Sequence, residues 1–148
     1  MSSEHLSILR SLQHGDSFFP AGAIAMSGGL ETLVDEHRVD SVQTVEDFLS
    51  GQLDCRWATM ERPIVVAAFR TCKDLEVSCD IDMQVEAQTL AAELRVGSVR
   101  SGRALLQVHA NLDTKNAKKY REMVQKGRAI GHNMVVQGLV WGNIGLSE

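Results

Sequence analysis

The fold class of this chain is decided by residues 44–60, which read TVEDFLSGQLDCRWATM. Apolar side chains recur there at the spacing that places them on one face of an α-helix, namely Val45, Phe48, Leu49, Leu53, Trp57 and Met60. Thr44, with Asp47 three residues later, resembles a capping box, the arrangement that marks a helix start. The stretch therefore predicts a long amphipathic helix from Thr44 to Met60.

Helical patterns continue before and after this stretch. Apolar residues predict a short helix over 6–12 and a second helix over 24–34, which contains Gly28 and Gly29. Two glycines weaken a helix, so they indicate either a close helix crossing or a notch that faces a partner. Pro63 is expected to break or kink the chain at the first turn of a buried helix over 64–72.

The C-terminal half predicts a loop and four further helical segments. Polar residues indicate the loop, and the apolar pattern, with Gly, Ser and Thr at the helix boundaries, indicates the helices. The loop covers 72–80, and the helices cover 85–97, 99–109, 115–126 and 130–141. A strand over 64–66 is the alternative for one apolar run, but no second run could pair with it. We therefore predict an all-α fold, a compact bundle of about six to seven helices, in a single domain over residues 1–148.

The composition is typical of a globular protein in a reducing compartment. The chain is 44% hydrophobic and 23% charged, and its aromatic content of 5% leaves the core to residues that suit helices. Three cysteines, an odd number, argue against a secreted disulfide framework. The sequence has neither a signal-peptide pattern nor an apolar run of ~20 residues. We expect a cytoplasmic protein that does not span a membrane.

No motif of an enzyme or a metal site is found in the sequence. A zinc or redox site would need closely paired ligands, whereas Cys72 and Cys79 are separated by six residues and lie far from His109 and His132. The phosphate-binding loop and the serine-nucleophile elbow are both missing. We expect no catalytic residue, no bound metal and no cofactor; an enzyme that uses Cys79 or a histidine is the alternative. Cys55 and Cys72 fit helical stripes, and Cys79 is expected to be exposed.

Charge is unevenly distributed along a chain whose net charge is −4. Acidic residues dominate before residue 55, and basic residues dominate over 115–128. A solvated helix face is the ordinary interpretation of such a basic stretch. It could also contact an acidic partner, or make this a small helical nucleic-acid-binding or regulatory protein. The nucleic-acid alternative lacks interleaved stacking aromatics beyond Tyr120.

One segment resembles the signature of a known family. Residues 16–22 read DSFFPAG, and Ser27 and the run GLE at 29–31 follow them. This is similar to the D-S-x-x-P-x-G-x-F-x-x-S-x-G-L-E pattern that opens the UreF family of urease accessory proteins. The resemblance extends in the family's order through residues 44–49, 95–106, 131–132 and 138–139. The chain departs from the pattern at residues 24–26, and UreF proteins typically continue for several more helices.

The resemblance implies an adaptor that is not an enzyme. UreF-like proteins bind UreD, also called UreH, form dimers, recruit the nickel-carrying GTPase UreG, and dock on apo-urease for nickel insertion. Any link to nickel is therefore indirect, and neither nucleic acid nor a membrane is an expected partner. On this basis the candidate partner-binding residues are Pro20, Gly22, Ser27, Gly29, Leu30, Glu31, Arg100 and Arg103.

The final segment, residues 130–146, adds a prediction of self-association. Its apolar residues cover most of a helix circumference. At the end of the chain, the preceding helices are expected to cover only one side of this segment. Large apolar side chains left on the other side would favour burial against a second copy, that is, a homodimer.

Overall fold

A computed structural model describes residues 3–16, 19–20 and 27–147, and its regular structure within these ranges is helical throughout. The helices are α1 (Ser3–Gly15), α2 (Leu30–Asp35), α3 (Val42–Gly51), a π-helical stretch (Gln52–Glu61), α4 (Arg62–Arg70), α5 (Leu75–Gln88), α6 (Ala92–Asn111), α7 (Ala117–Gln125) and α8 (Asn133–Ile144). Because α3, the π-helical stretch and α4 follow one another without a break, they form one long rod over residues 42–70. The described part of the chain thus contains seven separate helical segments, which confirms the all-α prediction.

The long rod starts at Val42, two residues before the predicted position. Ser41 is the N-cap residue: its Oγ accepts the N–H of Thr44 at 3.3 Å, and Thr44 Oγ1 accepts the N–H of Ser41 at 3.0 Å. This is the capping box, with Thr44 as its second member rather than its first. Pro63 lies in the first turn of α4, where its missing N–H is tolerated, so the rod does not break there.

The middle of the long rod is wound more widely than an α-helix. Two side-chain pairs span five residues, the spacing that a π-helix brings together. Arg56 Nε lies 2.7 Å from Glu61 Oε1, and the guanidinium of Arg62 lies 5.8 Å from the ring centroid of Trp57. The cation–π contact of Arg62 with Trp57 and the ion pair of Arg56 with Glu61 both favour this winding. The apolar pattern predicted a helix here but not its π form.

Helix α8 lies at the centre of the core, packed mainly against α4 and α6. Its side chains Val135, Val136, Leu139 and Val140 are fully buried. Gly138 faces α4 so closely that a Cβ atom on it would lie 2.3 Å from Val65 O. Since these side chains are covered within the chain, the expectation that the preceding helices cover only one side of this segment is wrong, and self-association stays a prediction.

A buried carboxylate holds the loop that precedes α8. Asp82, on α5, is fully buried and accepts the backbone N–H groups of Ile130, Gly131 and His132 at 2.7, 2.6 and 3.0 Å. It also accepts the hydroxyl of Tyr120, on α7, at 2.9 Å. One charged side chain on α5 thereby fixes α7 and the start of α8, because several hydrogen bonds stabilise the buried charge.

Three sequence expectations are wrong in the region of α5 and α6. The segment expected to be a loop is mostly helical, because Asp74 caps α5 by accepting the N–H of Glu76 at 3.1 Å. Helix α6 runs through Gly97 instead of ending there, and the chain breaks at residues 89–91. Cys79, expected to be exposed, is buried on α5, and Cys55, expected to pack within a helical stripe, is exposed on the rod, whereas Cys72 is buried.

Candidate interaction surfaces

The residues of the N-terminal signature lie on the surface. Pro20, Ser27, Gly29 and Glu31 are exposed and Leu30 is half-buried, whereas Gly22 lies outside the described residues. The carbonyl of Ser27 accepts the N–H of Leu30 at 3.2 Å, and the resulting turn leads directly into α2. The structure therefore places Ser27 to Glu31, the last part of this signature, in a turn and the start of α2.

Glycine is needed in this turn for its backbone conformation. Gly28 and Gly29 have φ angles of +63° and +98°, which side-chain-bearing residues adopt at a cost. A Cβ atom on either residue would meet no atom of the described residues within 4 Å. The close-crossing interpretation of the two glycines is thus wrong, and so is their placement inside a helix. A notch that faces a partner stays a prediction.

A small cleft connects this turn to the long rod and to α8. It has a volume of about 210 Å³, and Gly28 lines it together with Arg56, Glu61, Ser98 and Asn133. The structure thereby brings the N-terminal signature to the π-helical stretch. Arg100 and Arg103, which the resemblance grouped with the signature, are not among the lining residues of this cleft.

The long rod carries an apolar stripe that the described chain does not cover. Leu53 and Trp57 are 57% and 48% exposed, and Val42 and Leu49 are exposed as well. None of the residues of α3 or of the π-helical stretch is buried. The stripe continues into a groove of about 520 Å³, which lies between α1, α4 and α8 and is lined by Trp57, Val66, Phe69 and Trp141. An uncovered apolar stripe next to a groove is typical of a protein-binding surface.

A second groove lies between α6 and α7 and is basic. Its volume is about 490 Å³, and Arg103 and Arg121 line it with Gln107 and Gln125. Arg100 is exposed on α6, one turn before Arg103, but does not line the groove. Both candidate arginines thus lie on α6, and of the two Arg103 lines the groove.

The basic stretch 115–128 is less available to nucleic acid than its composition indicates. Two of its cations are paired, since Lys118 contacts Asp113 and Arg128 Nη2 lies 2.6 Å from Glu76 Oε2. Tyr120, the aromatic residue that could have stacked on a base, is fully buried. Burial and the neighbouring Asp82 raise the pKa of its phenol far above the usual value. The structure therefore gives no support to base stacking by this stretch.

A hydrogen-bonded chain of Ser98, His132 and Glu86 resembles a hydrolase triad only in composition. His132 Nδ1 lies 3.2 Å from Ser98 Oγ, and its Nε2 lies 2.8 Å from Glu86 Oε2, the reverse of the order in serine hydrolases. Ser98 Oγ also accepts the N–H of Asn133 at 3.1 Å, so it caps the start of α8. This network stabilises the start of α8.

Two stacked histidines lie where α1, α6 and α8 meet. The rings of His14 and His109 are 5.0 Å apart, and His14 Nδ1 accepts the indole N–H of Trp141 at 3.3 Å. Burial, together with His14, lowers the pKa of His109 to about 4, so both rings are held neutral at physiological pH. Parallel rings do not direct their nitrogens at one ion. Within residues 3–16, 19–20 and 27–147, no group of three or more His, Cys, Asp or Glu side chains could hold a metal.

The described helices include none that is both long and apolar enough to cross a bilayer. Sequence reasoning missed two residues that organise these surfaces, Asp82 and His132. The signal for Asp82 was its position between two apolar neighbours, Ile81 and Met83, on an otherwise acidic helix. His132 was considered as a metal ligand and as part of the family resemblance, but its contacts with Glu86 on α5 and Ser98 on α6 could not be read from spacing.

Comparison with known proteins identifies the family. The UreF family model matches residues 39–148. The chain is 29% identical to the urease accessory protein UreF of Haemophilus influenzae (strain Rd KW20) over 136 residues, which are 90% of this chain and 58% of that protein. It is 33% identical to UreF of Nostoc sp. PCC 7120 over 102 residues, or 68% of this chain and 44% of that protein. It is 35% identical to UreF of Trichodesmium erythraeum IMS101 over 108 residues, or 72% of this chain and 45% of that protein.

The chain spans 44% to 58% of the length of these relatives. No solved structure matches it. The match to the family model covers about three quarters of the chain and includes all of the long rod, the α6–α7 groove and α8. The chain belongs to the UreF family of urease accessory proteins.

Proposed function

We propose that this chain acts as an adaptor in urease maturation. In this role it binds UreD/UreH and recruits the GTPase UreG, so that nickel is inserted into apo-urease. The observation that carries the proposal is the family match over residues 39–148. The expected absence of catalytic chemistry in the chain agrees with this role, since the GTPase would supply the hydrolysis.

The uncovered stripe of the long rod supports a role in protein binding. Leu49, Leu53 and Trp57 lie along one side of a helix that the described residues leave exposed. Each large apolar side chain gains roughly 1.5–3 kcal/mol when it is fully buried, so a partner that covers several of them is stabilised substantially. Homodimer formation belongs to the same proposal, with this stripe as the apolar surface that would support it.

The test uses urease activation in cells. A urease operon that lacks its own UreF gene is complemented with this chain, and UreD/UreH and UreG are recovered with it by affinity purification. We expect nickel-dependent urease activity and recovery of both proteins. If the chain is folded by circular dichroism but restores no urease activity and recovers neither protein, the proposal is contradicted.

A matched pair of variants connects the result to the stripe. Leu53→Asp places a charge in the centre of the stripe, whereas Leu90→Asp places one on a side chain that is also exposed but lies in the break before α6. We expect Leu53→Asp alone to lose partner recovery. Equal recovery with both variants would mean that the partners bind elsewhere on the chain.

A further inference from the structure

The α6–α7 groove is lined by cationic, amide and apolar groups. Arg103 and Gln107 come from α6, and Arg121 and Gln125 come from α7, around a floor formed by Leu106 and Val124. None of the lining residues is acidic. In a chain whose net charge is −4, such a groove concentrates positive charge at one place on the surface.

The two arginines of the groove are available to bind an anion. Arg103 donates its Nε–H to the carbonyl of Ile130 at 3.0 Å, which anchors the guanidinium and leaves its two terminal nitrogens. Arg121 has no acidic partner within the described ranges. This differs from Arg128, which is neutralised by Glu76. A guanidinium that is held in place binds a carboxylate with two parallel hydrogen bonds at a small entropic cost.

We propose that the α6–α7 groove binds an acidic segment of a partner protein, with Arg103 and Arg121 pairing with its carboxylates. The proposal rests on the adaptor function and names the chemistry of one partner. The apolar floor accommodates the methylene groups of Glu side chains between the two cations. A strand of nucleic acid is the less favoured occupant, because no aromatic residue lines the groove and the overall charge is negative.

The experiment measures binding of a fluorescein-labelled oligo-glutamate peptide to the full chain by fluorescence anisotropy at low salt. Arg121→Gln removes one cation that makes no contact needed for the fold. Lys119→Gln is the matched control, since Lys119 is an exposed cation of the same helix outside the groove. Both variants change the net charge equally. An unlabelled oligo-thymidine strand and inorganic phosphate serve as competitors.

We expect saturable binding that weakens roughly three- to tenfold in Arg121→Gln, changes little in Lys119→Gln, and falls as salt is raised. No saturable binding, or an equal loss in both variants, would overturn the proposal. Displacement by oligo-thymidine at lower concentration than unlabelled oligo-glutamate would overturn it in favour of nucleic acid. If inorganic phosphate displaces the labelled peptide at the same concentration as unlabelled oligo-glutamate does, the groove is a simple anion site and the protein-segment assignment is overturned.

The outcome is distinguishable from a failure of the adaptor function. If urease activation succeeds and oligo-glutamate does not bind, the groove assignment is wrong and the adaptor role stands. If oligo-glutamate binds through Arg121 and urease activation fails, the groove assignment stands and the adaptor role is contradicted.

Discussion

Replacing Gly138 by alanine tests the close crossing of α8 and α4. A methyl group at this position would lie 2.3 Å from Val65 O, 2.8 Å from Ala68 Cβ and 2.9 Å from Phe69 N. Two of these atoms belong to the backbone of α4, so a side-chain rotation cannot relieve the clash. The helices must move apart, and overpacking of this kind costs about 1–3 kcal/mol.

The separation of the helices adds to this cost, since it loosens contacts of Val135 and Leu139, which are fully buried at the same interface. Losing a fraction of their burial adds about 1–2 kcal/mol. Alanine gains about 1 kcal/mol over glycine in a helix interior. The net expectation is a loss of about 1–4 kcal/mol, a large share of the roughly 5–15 kcal/mol of a typical domain.

Gly51→Ala is the matched control. Gly51 ends α3 with φ −59° and ψ −42°, and a Cβ atom on it would meet nothing within 4 Å. The same substitution should therefore stabilise the chain by about 0.5–1 kcal/mol. Urea unfolding followed by far-ultraviolet circular dichroism measures both effects. The reasoning is refuted if Gly138→Ala is as stable as the original chain, or if both substitutions shift the midpoint in the same direction.

Three further predictions concern titration and thiol reactivity. Since burial raises the pKa of Tyr120, the single tyrosine should give no tyrosinate absorbance near pH 11 while the chain is helical. The free energy of unfolding should fall above pH 10, because the tyrosine of the unfolded chain loses its proton first. Reversible tyrosinate formation in the folded chain would contradict this. In the folded chain the pKa of His109 is lowered from 6.5 to about 4, so the free energy of unfolding should fall by up to roughly 3 kcal/mol as the pH drops from 6.5 to 4. Urea unfolding measures this pH dependence, and His109→Gln should flatten it. Finally, one thiol, Cys55, should react quickly with a disulfide reagent in the native chain, since Cys72 and Cys79 are buried; rapid reaction of three thiols would contradict the burial.

The sequence predicted which segments are helical better than it predicted where they end. The periodicity of residues 44–60 identified the long rod, because an apolar stripe depends only on local spacing. Gly97 was interpreted as a helix end, whereas α6 runs through both Gly97 and Gly102, and a Cβ atom on Gly102 would be 2.2 Å from Gly131 O. A glycine that ends a helix and one that permits a close approach look alike until the opposing segment is known.

The candidate surfaces were only partly predictable for the same reason. The resemblance named Arg103, and the composition named the basic stretch that contains Arg121, but neither indicated that the two line one groove. The π-helical winding also escaped prediction, since the i to i+5 pairs of Arg56 and Trp57 become visible only once the rod is built. Contacts between distant segments decide both features, and a single sequence contains no direct record of them.

The buried carboxylate of Asp82 shows how a core residue can determine a surface. A charge in the core is costly unless it is fully hydrogen-bonded, and Asp82 accepts three consecutive backbone N–H groups of residues 130–132. The carbonyl of Ile130, in that same loop, accepts the Nε–H of Arg103. The position of the Arg103 guanidinium in the α6–α7 groove thus depends on a loop that is fixed from the inside by α5. Asp82 therefore has a physical role beyond the core, because it sets the geometry of the groove to which we assign an acidic partner.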